Sequence, residues 1–109
     1  MAAAATTTPP TAPTRWRVLV IEDEPDLVEG VVYNLHREGY ETVVAYDGQE
    51  GLRKAQTVPV DLILLDIMLP GISGTEILRA LKGGERTRDI PILIISAKAE
   101  EADQLVGFT

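Results

Sequence analysis

The chain has 109 residues, of which 45% are hydrophobic and 25% charged, a composition typical of one small globular domain. It carries 10 Lys and Arg against 17 Asp and Glu, and the resulting net charge of −7 argues against nonspecific contact of this segment with nucleic acid. It has no cysteine, which excludes disulfides and thiolate metal sites. No apolar stretch approaches the roughly 20 residues that a membrane-spanning helix needs, so we expect a cytoplasmic protein without membrane contact.

The first 14 residues differ in composition from the rest of the chain. Residues 1–14 are rich in Ala, Thr and Pro and lack the basic start of a signal peptide. We expect them to form a disordered leader, because such a segment has little apolar surface to bury. The folded domain is therefore expected over residues 15–109.

Apolar runs alternate with segments of helical periodicity along this domain. Four strands are predicted, at residues 17–22, 42–45, 60–66 and 90–96. Helices are predicted to begin near Pro25, Asp47 and Ser73, and residues 100–108 are expected to form a fourth helix. This alternation predicts an α/β fold, with a parallel sheet, right-handed crossovers and helices on both faces.

Short local patterns support the predicted helix ends. Ser73 and Glu76 have the spacing of a capping box, in which each side chain bonds to the other residue's backbone amide. Asp47 and Glu50 form a weaker version of the same pattern. Gly39 is expected to terminate the first helix, because glycine readily adopts the conformation that a C-terminal cap requires.

Acidic residues follow two of the predicted strands. Glu22 and Asp23 end the first strand, and Asp66 ends the third. Open α/β sheets bind ligands outside the carboxyl ends of their strands, so these carboxylates are expected to converge if the strands are neighbours. Mg²⁺ prefers oxygen ligands, and Asp23 and Asp66 are the natural direct ones. Glu22 is expected to bind directly or through water, and the Met68 carbonyl is a further candidate.

A carboxylate can also serve as a nucleophile and form an aspartyl phosphate. Asp66 fits this role because it lies at the end of a buried strand, and Ser96, at the end of the fourth strand, is placed to donate a hydrogen bond to a phosphoryl oxygen. A single Asp after a strand is more often a turn residue or helix cap. The combination of two acidic strand ends with a hydroxyl strand end favours a functional site.

With these residues the chain resembles the receiver domain of two-component response regulators. The segments that carry the resemblance are residues 18–24, 66–74 and 91–97. It implies a flavodoxin-like, doubly wound parallel sheet of strand order 2-1-3-4-5, and phosphorylation of Asp66 by a sensor histidine kinase. It also implies that Asp23, Asp66 and the Met68 carbonyl bind Mg²⁺ with help from Glu22, and that Ser96 is the hydroxyl switch residue.

The sequence departs from this family at its C-terminal end. Receivers have a fifth strand that ends in a Lys, followed by a fifth helix, whereas Lys98 lies only two residues past Ser96 and does not match. We therefore expect the fifth strand and helix to be missing, an order of 2-1-3-4, and a domain that is incomplete as a fragment of a longer regulator. The run Ile92–Ile95 would then be an open edge that favours a homodimer.

The leading interpretation is a phosphorylation-dependent switch that controls a DNA-binding, transcriptional output. Its chemistry would be limited to autophosphotransfer and autodephosphorylation, so we do not expect an enzyme in the ordinary sense. The alternative is a phosphate-independent interaction scaffold, which the absent Lys favours and the intact acidic residues disfavour. A haloacid-dehalogenase-type phosphohydrolase is less favoured, because it requires a second Asp where this chain has Met68.

Overall fold

Helices and parallel strands alternate through most of the computed structural model, which describes residues 15–69, 71–95 and 107–108. The strands are β1 (Arg17–Ile21), β2 (Glu41–Ala45), β3 (Leu62–Asp66), β4 (Ile92–Ile95) and β5 (Gly107–Phe108). The helices are α1 (Pro25–Arg37), α2 (Gly48–Thr57) and α3 (Gly74–Gly83). The predicted bounds of the four long strands fall within two residues of these bounds.

The sheet has the strand order β2-β1-β3-β4-β5, and its first four strands are parallel. The predicted order 2-1-3-4 is therefore confirmed. In the central pair, Val18 of β1 lies opposite Leu62 of β3, and Ile21 lies opposite Leu65. Because this register is parallel, the residues that follow β1 and the last residue of β3 meet at the same edge of the sheet.

The core lies on both faces of the sheet, because alternate strand residues point to opposite sides. One face carries Leu19, Ile21, Ile63 and Leu65, and packs against buried residues of α2 and α3, such as Ile77. The other face carries a smaller buried cluster of Val18, Val20 and Leu64, against which α1 packs through the partly buried Val31 and Leu35. The central strands are therefore buried on both faces of the sheet.

The predicted helix ends are confirmed in detail. Ser73 and Glu76 form the complete capping box at the start of α3. The Asp47 carboxylate accepts a hydrogen bond of 2.8 Å from the Glu50 amide at the start of α2. Gly39, with a φ of 92°, ends the turn after α1 in the left-handed region that favours glycine. These caps determine where each helix leaves the sheet.

The structure corrects the prediction for the C-terminal segment. Gly107 and Phe108 form a strand instead of the end of a helix, and they pair antiparallel with Ile94 and Leu93 of β4. Residues 100–106 of the predicted helix lie outside the described residues. An unpaired strand edge leaves backbone donors and acceptors without partners, and pairing with Gly107 and Phe108 satisfies some of those of β4. Glycine is also a poor helix former, so a strand is favoured over a helix at Gly107. The prediction of an open β4 edge is wrong at these two positions, while the homodimer stays a prediction.

Within the part of the chain that the structure describes, no helix combines the length and the apolar character needed to cross a membrane.

The end of α3 is held by a buried hydroxyl. Thr87 is only 1% exposed, and its Oγ1 donates a hydrogen bond of 2.6 Å to the carbonyl of Leu81. Thr87→Val keeps the shape of the side chain and removes this donor. We expect the free energy of unfolding to fall by about 1–2 kcal/mol, measured by urea unfolding.

Thr57→Val is the matched control, since the Thr57 hydroxyl donates to the Arg53 carbonyl at the exposed end of α2. This substitution is expected to change the free energy of unfolding by less than about 0.5 kcal/mol. Equal losses in the two variants would show that the burial of Thr87 does not strengthen its hydrogen bond.

Candidate functional site

Three carboxylates meet where β1 and β3 end. Glu22 and Asp23 directly follow β1, and Asp66 is the last residue of β3. One oxygen from each lies within 4.8 Å of the others. The structure therefore brings together three of the residues that the sequence singles out, and the cause is the parallel register of their strands.

The three side chains differ sharply in their access to water. Glu22 and Asp66 are each 1% exposed, whereas Asp23 is exposed. Glu22 is also tied into the sheet, because its amide donates a hydrogen bond of 3.0 Å to the carbonyl of Ala45. The site, called the acidic pocket below, thus combines two buried carboxylates with one carboxylate that is exposed to water.

Backbone amides orient both buried carboxylates. Asp66 Oδ1 accepts a hydrogen bond of 3.0 Å from the Met68 amide, and Glu22 Oε2 accepts one of 3.0 Å from the Glu24 amide. In both cases the donor lies two residues after the acceptor, the spacing at which an Asp side chain closes a local turn. Sequence analysis missed both amides, although this spacing could have indicated them.

One buried oxygen is left without a partner. Glu22 Oε1 makes no hydrogen bond to any residue that the structure describes. Leaving a buried carboxylate oxygen unpaired is unfavourable, so a proton, a water molecule or a cation would stabilise this atom. The unpaired oxygen is therefore compatible with a positively charged species beside Glu22.

The electrostatics of the pocket support this interpretation. The pKa of Glu22 is raised from 4.5 to about 7, mainly because burial disfavours the charged form. The neighbouring carboxylates of Asp66 and Asp23 raise the pKa further, while the Glu24 amide opposes the shift. Near neutral pH Glu22 therefore exchanges between its protonated and its charged form.

The structure does not test the roles predicted for two other site residues, Ser96 and Met68. Ser96 lies outside the described residues. The Met68 side chain is half exposed, and the contact that the structure shows for this residue is made by its amide. The role of the Met68 carbonyl as a metal ligand stays a prediction.

The fold and the carboxylate cluster together define an α/β domain with an acidic site at the carboxyl edge of a parallel sheet. Comparison with known proteins identifies it further. The family model described as the response regulator receiver domain matches residues 18–108. The chain therefore belongs to the response regulator receiver domain family, and the resemblance found in the sequence is confirmed.

Individual relatives agree with this assignment. The chain is 43% identical over 91 residues to the alkaline phosphatase synthesis transcriptional regulatory protein PhoP of Bacillus subtilis, a match that covers 84% of this chain and 37% of PhoP. The chain thus spans less than half the length of this curated relative.

Solved structures agree in fold. The N-terminal domain of a response regulator receiver protein from Methanoculleus marisnigri is 39% identical, with a TM-score of 0.74 over 84% of this chain and 76% of that one. The response regulator TrrA of Thermotoga maritima, solved in complex with Mg(2+)-BeF, is 36% identical, with a TM-score of 0.71 over 83% and 76% of the two chains. The flavodoxin-like fold class is therefore confirmed.

The burial of Glu22 predicts that stability depends on pH when no cation is present. Between pH 4.5 and about 7 the folded chain holds a proton that an unfolded chain has released. The free energy of unfolding should therefore fall as pH rises through this window, by on the order of 3 kcal/mol from this group. Glu22→Gln, which stays neutral, is expected to flatten that fall in urea unfolding with a chelator.

Glu29→Gln, at an exposed position on α1, is the control and should keep the pH dependence of the parent chain. If the parent and Glu22→Gln lose stability equally over this pH window, Glu22 is not the group responsible.

Proposed function

We propose that this chain is a phosphorylation-dependent signalling switch of a two-component system, which accepts a phosphoryl group on Asp66 from a sensor histidine kinase. The observation that carries this proposal is the position of Asp66. Its carboxylate is buried at the end of a central strand, is oriented by the Met68 amide, and lies beside two further carboxylates. Rigid orientation and proximity are what a carboxylate nucleophile requires.

Mg²⁺ is the cofactor that we propose for this pocket. Asp23 and Asp66 would bind it directly, Glu22 would bind directly or through water, and the Met68 carbonyl would complete the protein ligands. The clustered oxygens and the unpaired Glu22 Oε1 support this assignment, and the Mg(2+)-BeF complex of TrrA is consistent with it. When bound, the ion supplies positive charge that offsets the charge of the carboxylates and of the incoming phosphoryl group.

The proposed transfer is a simple exchange of bonds. An Asp66 oxygen attacks phosphorus, a P–O bond forms, and the P–N bond to the donor histidine breaks. The imidazole retains the electron pair of that bond and takes up a proton. Ser96 is proposed to donate a hydrogen bond to a phosphoryl oxygen, and hydrolysis by water later restores the Asp66 carboxylate. The chain would therefore catalyse only its own phosphorylation and dephosphorylation.

The proposed output is control of transcription by the rest of a longer, cytoplasmic regulator. PhoP is a transcriptional regulatory protein of which this chain matches 37%, which leaves room for a separate output domain in a protein of that kind. The net charge of −7 supports the proposal that the receiver segment itself does not contact DNA. A phosphate-independent scaffold is the alternative, and phosphorylation of Asp66 is the property that separates the two.

Phosphorylation is tested by incubating the chain with Mg²⁺ and acetyl phosphate and measuring its intact mass. We expect a phosphoryl adduct on the parent chain and none on Asp66→Asn, because the amide is not a nucleophile of comparable strength. Asp61→Asn is the matched control, since Asp61 immediately precedes the same strand at its opposite end and is exposed. It should form the adduct as the parent does.

A folded parent chain without an adduct would favour the scaffold. An adduct that persists in Asp66→Asn would place the phosphoryl group elsewhere and contradict the assignment of Asp66.

Metal binding is tested without any phosphodonor. A cation that binds only the folded chain stabilises it, by about 2.7 kcal/mol at a hundredfold excess over its Kd. We therefore expect Mg²⁺ to raise the thermal unfolding midpoint of the parent and to have a much smaller effect on Asp23→Asn. Asp26→Asn removes a neighbouring exposed carboxylate from the first turn of α1 and should respond to Mg²⁺ as the parent does.

The same midpoint shift in all three chains would show that Mg²⁺ binds outside the pocket.

A further inference from the structure

We propose that Gly74 is a positioning residue for the phosphorylation site. Its missing side chain allows the first turn of α3 to lie directly against the backbone of Ile67, between Asp66 and Met68. This contact determines where the Asp66 carboxylate and the Met68 backbone lie relative to the other carboxylates. The inference rests on the proposed function, and it concerns the loop geometry on which that function depends.

The approach of the two backbones is too close for any side chain at Gly74. A Cβ atom built there would overlap the Cα atom of Ile67, and it would lie 3.0 Å from the Ile67 Cβ and 3.1 Å from the Ile67 carbonyl carbon. These are main-chain and branch-point atoms, which cannot move away by a change of rotamer. A methyl group at Gly74 therefore requires either the helix or the segment after Asp66 to shift.

The helix is the less movable of the two partners. Its first turn is held by the Ser73–Glu76 capping box, and Ile77 and Leu81 are fully buried in the larger core. Moving α3 away would open space around both of these side chains, which is costly in a close-packed interior. An added methyl group at Gly74 is therefore expected to displace the segment from Asp66 to Met68 rather than α3.

That segment carries the hydrogen bond that orients the nucleophile. The Met68 amide donates to Asp66 Oδ1 across Ile67, so a displaced Ile67 changes the relative position of donor and acceptor. The same displacement moves the Met68 carbonyl, the further metal ligand proposed above. Groups that orient metal ligands typically change metal affinity 10- to 100-fold when they are altered.

The other described glycines provide controls. Nothing lies within 4 Å of a Cβ at Gly83, the last residue of the same helix. A Cβ at Gly48 would meet the Ile77 side chain, with Cδ1 at 2.5 Å, where a flexible end can yield. Among the glycines of residues 15–69 and 71–95, Gly74 is the one at which an added Cβ would overlap main-chain atoms of another segment.

The experiment compares Gly74→Ala with Gly83→Ala, which add the same methyl group at opposite ends of α3. For each chain, the Mg²⁺ concentration that gives half-maximal adduct formation with acetyl phosphate is measured, and Mg²⁺ binding is measured by calorimetry without the donor. We expect Gly74→Ala to raise both the Mg²⁺ requirement and the dissociation constant about tenfold. Gly83→Ala should leave both unchanged.

Both variants are also made in a Gly30→Ala background. Gly30 lies within α1 with nothing within 4 Å of an added Cβ, so alanine there is expected to stabilise the helix. A purely structural role for Gly74 predicts lower stability with an unchanged Mg²⁺ dissociation constant in the folded chain. That result would overturn the inference. Failure of Gly74→Ala to fold in this background would also overturn the inference. The contact between Gly74 and Ile67 would then be required for folding and not specifically for the geometry of the site.

Failure of the proposed function would give a result different from failure of the inference about Gly74. It would appear as a parent chain that binds Mg²⁺ and forms no adduct, and the calorimetric comparison of Gly74→Ala with Gly83→Ala would still decide the role of Gly74.

Discussion

Like-charge repulsion among three carboxylates is the constraint around which this domain is built. Glu22, Asp23 and Asp66 offer oxygens within 4.8 Å of one another, and two of the three side chains are almost fully buried. Such an arrangement is unfavourable by itself and persists only if the surrounding structure is stiff enough to impose it. The stiffness comes from the central strands, whose residues Val18–Ile21 and Ile63–Leu65 are buried on both faces of the sheet.

The features around the pocket can be understood as responses to that constraint. The amides of Glu24 and Met68 stabilise one oxygen on each buried carboxylate, and the raised pKa of Glu22 lets a proton offset part of the remaining charge. A divalent cation could take the place of that proton and leave all three groups ionised. A site that is unfavourable when empty of positive charge would suit the switch proposed above, because cation binding and phosphoryl transfer would then change its energy substantially.

Sequence reasoning succeeded where the signal is local or periodic. The alternation of apolar runs with helical segments predicted the parallel α/β sheet, and the Ser73–Glu76 spacing predicted the capping box of α3. The strand order 2-1-3-4 followed from the family resemblance. It failed at Gly107 and Phe108, because pairing with β4 depends on a strand edge that is distant in sequence. It also did not anticipate the overlap between Gly74 and Ile67, since a glycine near the start of a helix can serve a turn, a cap or a close approach equally well.

The sequence alone determined the family, the α/β class and the identity of the acidic residues, because these depend on residue types and on short-range spacing. The tertiary structure decided which carboxylates are buried, which oxygen of Glu22 lacks a partner, and how tightly α3 packs against the segment after Asp66. The reason is that burial and electrostatics depend on neighbours brought together by the sheet. Asp66 meets Glu22 through the parallel register of β1 and β3, across more than forty residues of intervening chain.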